Sequence, residues 1–404
     1  MPKFLNPFEK PAYFEQILVL YRKYSKFLED DFASDKIVQR KYLENLIIRT
    51  SPYFWAITED DVVRALSKKH LDIEDFKALI APCAEKYLEP MAQMSRSITQ
   101  RRFGKVMQFY IPLYLSNECS NHCIYCGFNH NNDIGRITLT DEQIMEEIKV
   151  IKSMGYDNVL LLTGEYPRHA GVDYIKHAIE LCRPYFSTIN LEVFPMKVEQ
   201  YERLIAAGAN SVYVYQETFN EKRYKHYHPK GMKSNYQYRL ATPERLAQAG
   251  IHRVGMGALI GLEEWRTEMV FLAMHLRFMT KNYWKTKYSV SFPRMRPAAG
   301  GYQADFYMNE KEFAQTIWAF RIFDHDVEVA MSTRETPQMR NHFVSLGVTS
   351  MSAGSKTDPG GYAHPNTELE QFHINDDRTV EQMEQMVRSQ GYDVIFKDWD
   401  KILN

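Results

Sequence analysis

Two hydrophobic periods divide this chain. Up to about residue 106 the apolar positions recur three and four residues apart. "LDIEDFKALIAPCAEKYLEPMAQMS" reads as amphipathic helix, and "TEDDVVRALSKK" opens on Thr58 as an N-cap with acids in its first turn. From about residue 108 short β-prone runs alternate with helical patterns. The runs predict strands over 108–115, 158–165, 189–195, 211–218, 252–261, 288–297, 327–335 and 348–355. Helices are predicted between them over 140–154, 171–183, 197–207, 243–249, 264–282, 309–323 and 337–345. Thr140, followed by Asp141 and Glu142, is a helix start, and Gly155, Gly208 and Gly250 stand where helices stop.

Such alternation predicts an α/β fold with parallel strands and right-handed crossovers. Eight strands are the number that closes a (β/α)8 TIM-type barrel. An open doubly wound sheet is the alternative, although no G-x-G-x-x-G follows the first strand. The expected division is a helical N-terminal extension over 1–106, a barrel over 107–356 and a C-terminal cap or tail over 357–404. Barrels of this kind place their chemistry at the C-terminal ends of the strands. Polar residues gather at those ends here: Thr163-Gly164-Glu165, Tyr215-Gln216-Glu217-Thr218, Arg294 with Arg296, Ser332-Thr333-Arg334-Glu335, and Ser350, Ser352 and Ser355.

Composition narrows the partners. With 404 residues, 45% of them hydrophobic, the chain can bury one large barrel with extensions, or two domains. A formal net charge of −1 argues against wholesale nucleic-acid binding or a polybasic membrane patch. No apolar run approaches the ~20 residues that span a bilayer, and the opening "MPKFLNPFEKPAYFEQ" has no signal-peptide core. A cytoplasmic protein is expected.

The five cysteines sharpen this. Cys119, Cys123 and Cys126 crowd into "SNECSNHCIYCGFNHNN", directly after the first barrel strand. Close spacing, unlike a spread disulfide framework, indicates metal binding. A structural zinc site wants four protein ligands, which would require His122 or His130 as the fourth. A closed ferredoxin cluster wants four cysteines. Three thiolates can instead hold three irons of a [4Fe–4S] cube and leave one iron open to a small molecule. Cys83 and Cys182 lie in amphipathic helix patterns and read as small buried hydrophobes.

The C-x3-C-x2-C spacing, with aromatic Tyr125 before its last cysteine, resembles the signature of the radical S-adenosylmethionine (SAM) enzymes. The resemblance implies a cluster on these cysteines whose open iron is chelated by SAM, and cleavage of SAM to a 5′-deoxyadenosyl radical. It implies contacts to the SAM amino group from Thr163, Gly164 and Glu165, to its ribose from Glu217 or Gln216, to its adenine from the 255–261 edge with Gly257 and Leu259, and to its carboxylate from Arg239.

"LYLSNECSNHCIYCGF", "VYQETFNEKRYKHYHPKG", "GALIGLEEWR", "YSVSFPRMRP", "STRE" and "SKTDPGGYA" together resemble the 2-iminoacetate synthases, tyrosine lyases of thiamine biosynthesis, along nearly the whole chain. That family has a (β/α)8 barrel with a helical N-terminal extension. Its likeness implies cleavage of L-tyrosine between Cα and Cβ into 2-iminoacetate (dehydroglycine) and p-cresol. Also implied are thiazole synthase as protein partner and a reduced flavodoxin- or ferredoxin-type electron donor. On the substrate side it implies Arg334 for the α-carboxylate, Ser352 (or Ser350) one strand later and Tyr114 before the cysteine loop. Arg294 stands at substrate or SAM, and His228 is a candidate for contact with the phenol or its proton. The alternatives are a tryptophan lyase, the tyrosine lyase of hydrogenase maturation and a non-catalytic iron–sulfur protein. The hydrogenase-type lyase carries a second cluster on C-terminal cysteines, and no cysteine follows Cys182 here.

Overall fold

In the computed structural model the described residues are 54–397. The chain falls into two compact units, 1–58 and 59–404, and the described part of the first is little more than the turn Phe54–Ala56. The part of the expected N-terminal extension before residue 54, and the last residues of the expected cap, lie outside the described residues.

The second unit opens with helices α1 (Glu59–Ser67), α2 (Ile73–Ile80) and α3 (Leu88–Phe103). Asp72 caps α2 reciprocally with Asp75. Ten strands follow: β1 (Val106–Tyr110), β2 (Pro112–Ser116), β3 (Asn158–Thr163), β4 (Thr188–Glu192), β5 (Ala209–Tyr213), β6 (Arg253–Gly257), β7 (Lys287–Ser291), β8 (Glu328–Met331), β9 (Ser350–Ser352) and β10 (Asp393–Ile395). Between them run α4 (Asp141–Ser153), α5 (Val172–Cys182), α6 (Val198–Ala207), α7 (Glu221–Tyr227), α8 (Tyr236–Leu240), α9 (Thr242–Gln248), α10 (Trp265–Asn282), α11 (Glu310–Phe323), α12 (Pro337–Phe343) and α13 (Val380–Ser389).

All pairings between strands are parallel, in the order β10-β1-β9-β8-β7-β6-β5-β4-β3-β2. β1 and β2 are separated by Ile111 alone, so the order returns to the strand where it began. The eight expected strands are therefore a curled, TIM-like parallel barrel. The count of ten arises because the first strand is split before Pro112, which has no N–H to give, and because β10 adds itself beside β1. β10, α7, α8 and α13 are elements the sequence reading did not anticipate.

Several strands stop short of their expected ends. β5 ends at Tyr213 rather than 218, β7 at Ser291 rather than 297, and β8 at Met331 rather than 335. The polar tails beyond them are irregular backbone. Glu217, at φ 69°, is the one non-glycine residue with positive φ among those described, and single bridges Glu217–Ala258 and Ile260–Arg294 replace regular ladders.

Helix α2 is sewn to the barrel's outer helices. Phe76 packs edge-on against Phe320 and Phe323 of α11. The Gln315 amide donates to the carbonyls of Leu79 (2.8 Å) and Ala81 (3.0 Å), and Arg266 of α10 donates to that of Ile80 (2.9 Å). Among the described residues no helix is long and apolar enough to cross a membrane.

Candidate active site

The loop after β2 has almost no regular structure, so its backbone groups need partners. Arg136 supplies four of them, its guanidinium donating to the carbonyls of Asn117, Phe128, Asn129 and Asn132 at 2.7–3.2 Å. The Asn132 amide donates to the carbonyls of Cys126 and Gly127. The end of β3 packs directly on this loop: a Cβ at Gly164 would run into the Glu118 carbonyl and press on Cys119. Glycine at that position is what lets strand and loop touch.

This framework sets Cys119, Cys123 and Cys126 along one wall of a cavity within the barrel mouth. All three are free thiols. Burial raises each thiol, Cys119 to about 11 and Cys123 well above its usual value. Such thiols need a positively charged partner to ionise. A structural zinc site would need a fourth protein ligand beside the three thiols. His122 and His130 face each other, ring centroids 5.0 Å apart, with His130 Nδ1 on the Cys119 carbonyl. Neither lines the cavity. The donor set fits a three-thiolate cluster.

Beside the cysteines lies a charge network. The Arg239 guanidinium donates from Nη1 to Glu165 (2.9 Å) and from Nε to the Tyr215 carbonyl (2.7 Å), and Nη2 stands 3.5 Å from Glu217. Lys233 Nζ donates to Glu217 (2.7 Å), and the Asn121 amide donates to the second oxygen of Glu165 (2.8 Å). Burial pushes the Glu217 carboxyl up, but Lys233 and Arg239 outweigh it and hold the group below its ordinary value. Thr163 Oγ1 and Ser355 Oγ line the same cavity without a hydrogen-bond partner among the described residues. Paired charges with unsatisfied hydroxyls beside them fit a polar, charged cofactor such as SAM.

The expected residues divide in position. Tyr114, Tyr125, Thr163, Gly164, Glu165, Glu217, Arg239, Leu259, Arg334, Ser350 and Ser352 line the cavity with the cysteines. Gln216, Gly257, His228 and Arg294 do not. Gln216 is buried behind Glu217. Gly257 is small because the Tyr215 ring and the Ser291 carbonyl fill the space of a side chain. His228 sits behind Tyr125: its Nδ1 donates to the Tyr224 carbonyl and its Nε2 accepts from the Tyr125 hydroxyl, each at 2.8 Å. Burial, with Lys233 nearby, holds that imidazole neutral. His228 itself therefore does not line the cavity, and its ring is engaged with the Tyr125 hydroxyl. Arg294 turns away to Glu335, with its Nε at 3.0 and 3.1 Å, and lies over Phe313. Arg296 takes the cavity face of that loop.

Arg334 lies flat on Phe372, its guanidinium carbon 3.4 Å from the ring centroid. Tyr114 donates from its hydroxyl to Gln371 Oε1 (2.8 Å), and the Gln371 amide points at Cys126 Sγ (3.9 Å). Gln371 and Phe372 belong to the expected cap, and no sequence signal marked them. Nor was Lys233 anticipated, although it lies between His228 and Arg239; α7 and α8 bring it in. Asn121 and Glu192 also line the cavity. Cys182 is buried in α5 as expected, and Cys83 is half-buried in the short 3-10 helix Pro82–Tyr87.

A parallel barrel with a three-cysteine loop after its first strand defines a class, and family comparison names it. The Radical SAM superfamily domain matches residues 113–272, and the Biotin and Thiamin Synthesis associated domain matches residues 291–393. The chain is 45% identical over 347 residues to the 2-iminoacetate synthase of Salmonella typhimurium and 44% identical to that of Escherichia coli. Each alignment spans 86% of this chain and 92% of the relative, so the chain belongs to the 2-iminoacetate synthase family. Among solved structures, the FeFe-hydrogenase maturase HydG from Carboxydothermus hydrogenoformans superposes with a TM-score of 0.79 at 27% identity, over 95% of this chain and 85% of that one.

Proposed function

We propose that this chain is a radical SAM lyase that splits L-tyrosine between Cα and Cβ into 2-iminoacetate and p-cresol, supplying the thiazole ring of thiamine. One observation carries the reading: in a chain of this family, the three thiols and Arg334, a guanidinium with no carboxylate partner among the described residues, line the same cavity. Cys119, Cys123 and Cys126 would hold the [4Fe–4S] cluster. Glu165, Glu217, Arg239 and Thr163 would hold SAM, while Arg334, Tyr114 and Ser352 would hold tyrosine. Cluster and SAM, when bound, supply the radical that removes a hydrogen atom.

The chain's own residues do the rest. Arg334 offers a planar fork to the substrate carboxylate, and Phe372 keeps that fork flat against the wall. Glu217 presents carboxylate oxygens to vicinal hydroxyls, its charge maintained by Lys233 and Arg239. Tyr114 and Gln371 pack beside the cysteine wall. The iminoacetate hydrolyses readily, which favours direct transfer to thiazole synthase as protein partner. A flavodoxin- or ferredoxin-type protein is the proposed electron donor. With few cysteines and a cluster that needs reducing conditions, the cytoplasm is the proposed compartment.

The test is product analysis of the anaerobically reconstituted, reduced protein with SAM. With tyrosine, 5′-deoxyadenosine and p-cresol are expected. Formation of 3-methylindole or 3-methylindolic acid from tryptophan, with no p-cresol from tyrosine, would reject the assignment. Cys123→Ala should abolish both the cluster and SAM cleavage.

A further inference from the structure

Four carboxylates and four guanidinium groups line the cavity. Most are committed to one another. Glu165 and Glu217 bind Arg239, Glu217 also binds Lys233, Glu328 binds Arg253 at 2.8 Å, and Arg296 reaches Glu335 at 3.4 Å. Glu192 and Arg334 are the two left over. Neither side chain makes an ion pair or hydrogen bond to another described residue. Arg334 has only the Phe372 face beneath it. Glu192 ends β4, and Arg334 follows β8 by three residues, so they enter the cavity from different strands. Each lies within the other's field, yet they do not close to ion-pair distance.

Opposite charges held apart in a buried cavity are unfavourable unless something with both charges lies between them. An α-amino acid has that character, with ammonium and carboxylate on one carbon. We propose that Glu192 receives the α-ammonium group of the substrate while Arg334 holds its α-carboxylate, so that the two side chains clamp the amino-acid backbone. The inference rests on the amino-acid lyase reading above and adds the group that fixes the nitrogen. The phenol is the other polar end of tyrosine. It is the weaker match for Glu192, because the Arg334 partnership ties Glu192 to the end of the substrate that carries the carboxylate.

The test is anaerobic calorimetry on the reconstituted protein with SAM. The ligands are L-tyrosine, 3-(4-hydroxyphenyl)propionate, which lacks the amine, and L-phenylalanine, which lacks the phenol. The wild-type protein should bind tyrosine at least tenfold more tightly than the deaminated acid. Glu192→Gln should weaken tyrosine about tenfold or more and leave the deaminated acid unchanged or tighter. Glu192→Asp, which keeps the charge, should retain most of the preference and guards against a fold effect of the first variant. Equal weakening of tyrosine and the deaminated acid, with phenylalanine unchanged, would assign Glu192 to the phenol and overturn the clamp. So would Gln and Asp variants that discriminate as the wild type does. If the wild-type protein makes no p-cresol but prefers L-tryptophan to indole-3-propionate through Glu192, the tyrosine assignment fails and the clamp stands.

Discussion

Arg294 and Arg334 look equivalent on paper, each an arginine in a polar strand tail. Their surroundings separate them. Arg334 has an aromatic face and no carboxylate partner among the described residues, whereas Arg294 is spent on Glu335. Arg334→Ala should therefore keep the cluster and lower kcat/KM for tyrosine roughly 30- to 150-fold, the equivalent of about 2–3 kcal/mol for a charged hydrogen-bond pair. Steady-state p-cresol formation reads this, and an unchanged value would place the carboxylate elsewhere. Arg294→Ala should instead lower the thermal midpoint, since Glu335 would be left with Arg296 alone. Glu192 gives a second test at this scale. Burial, followed by the charge of Glu217, raises its carboxyl to about 7 in the folded chain. The folded form thus keeps a proton that the unfolded form has already released. Stability from this group falls as pH rises from the ordinary carboxylate range to about 7, and stays lost above it. Glu192→Gln should raise the thermal midpoint of the substrate-free protein at pH 8, by up to about 3 kcal/mol of stability, and change little at pH 5.

At the scale of elements, the cysteine loop is rigid because other elements make it so. Arg136 gathers four of its carbonyls, and the ends of β3 and of the C-terminal segment press on it through two glycines. A Cβ at Gly127 would strike the Gln371 carbonyl, as one at Gly164 would strike that of Glu118. Gly164→Ala should displace Cys119 and reduce the iron bound per chain after reconstitution, with helix content by circular dichroism retained. Full iron loading in that variant would mean that the loop moves aside freely. Helices α7 and α8 show the same logic. They are short insertions after β5 whose effect is to bring His228 behind Tyr125, and Lys233 and Arg239 onto Glu217 and Glu165.

Across the whole molecule, the stretch after β9 is more than a lid. Gln371 meets Tyr114 and Cys126, and Phe372 lies under Arg334. Asn375 donates to the Arg334 carbonyl, and Asp376 pairs with buried Arg340. One segment thus ties the cluster wall to the proposed substrate arginine, and β10 returns to pair with the first strand. Phe372→Ala should raise KM for tyrosine several-fold, in line with about 0.5–2 kcal/mol for a cation–π contact, without loss of iron. If KM is unchanged while iron falls, the segment serves the cluster only.

The sequence by itself determined the parallel α/β alternation, the eight barrel strands and the three-cysteine loop. Each is written locally, in a 2.0 or 3.6 period or a spacing within eight residues. It also placed Glu165, Glu217 and Arg334 at strand ends, where the barrel's geometry gathers polar groups. What it left undecided was direction and company. Arg294 and His228 sit in loops that do converge on the site, but irregular backbone has no period to say which way a side chain turns. Glu192 ends a strand whose pattern reads simply as core, and Gln371 lies 245 residues along the chain from the Cys126 it meets, with Phe372 next to it. Only closure of the barrel brings such residues together. Which charges are satisfied and which are left for a ligand is a property of that assembled cavity, because Coulomb and hydrogen-bond partners are chosen by distance in space.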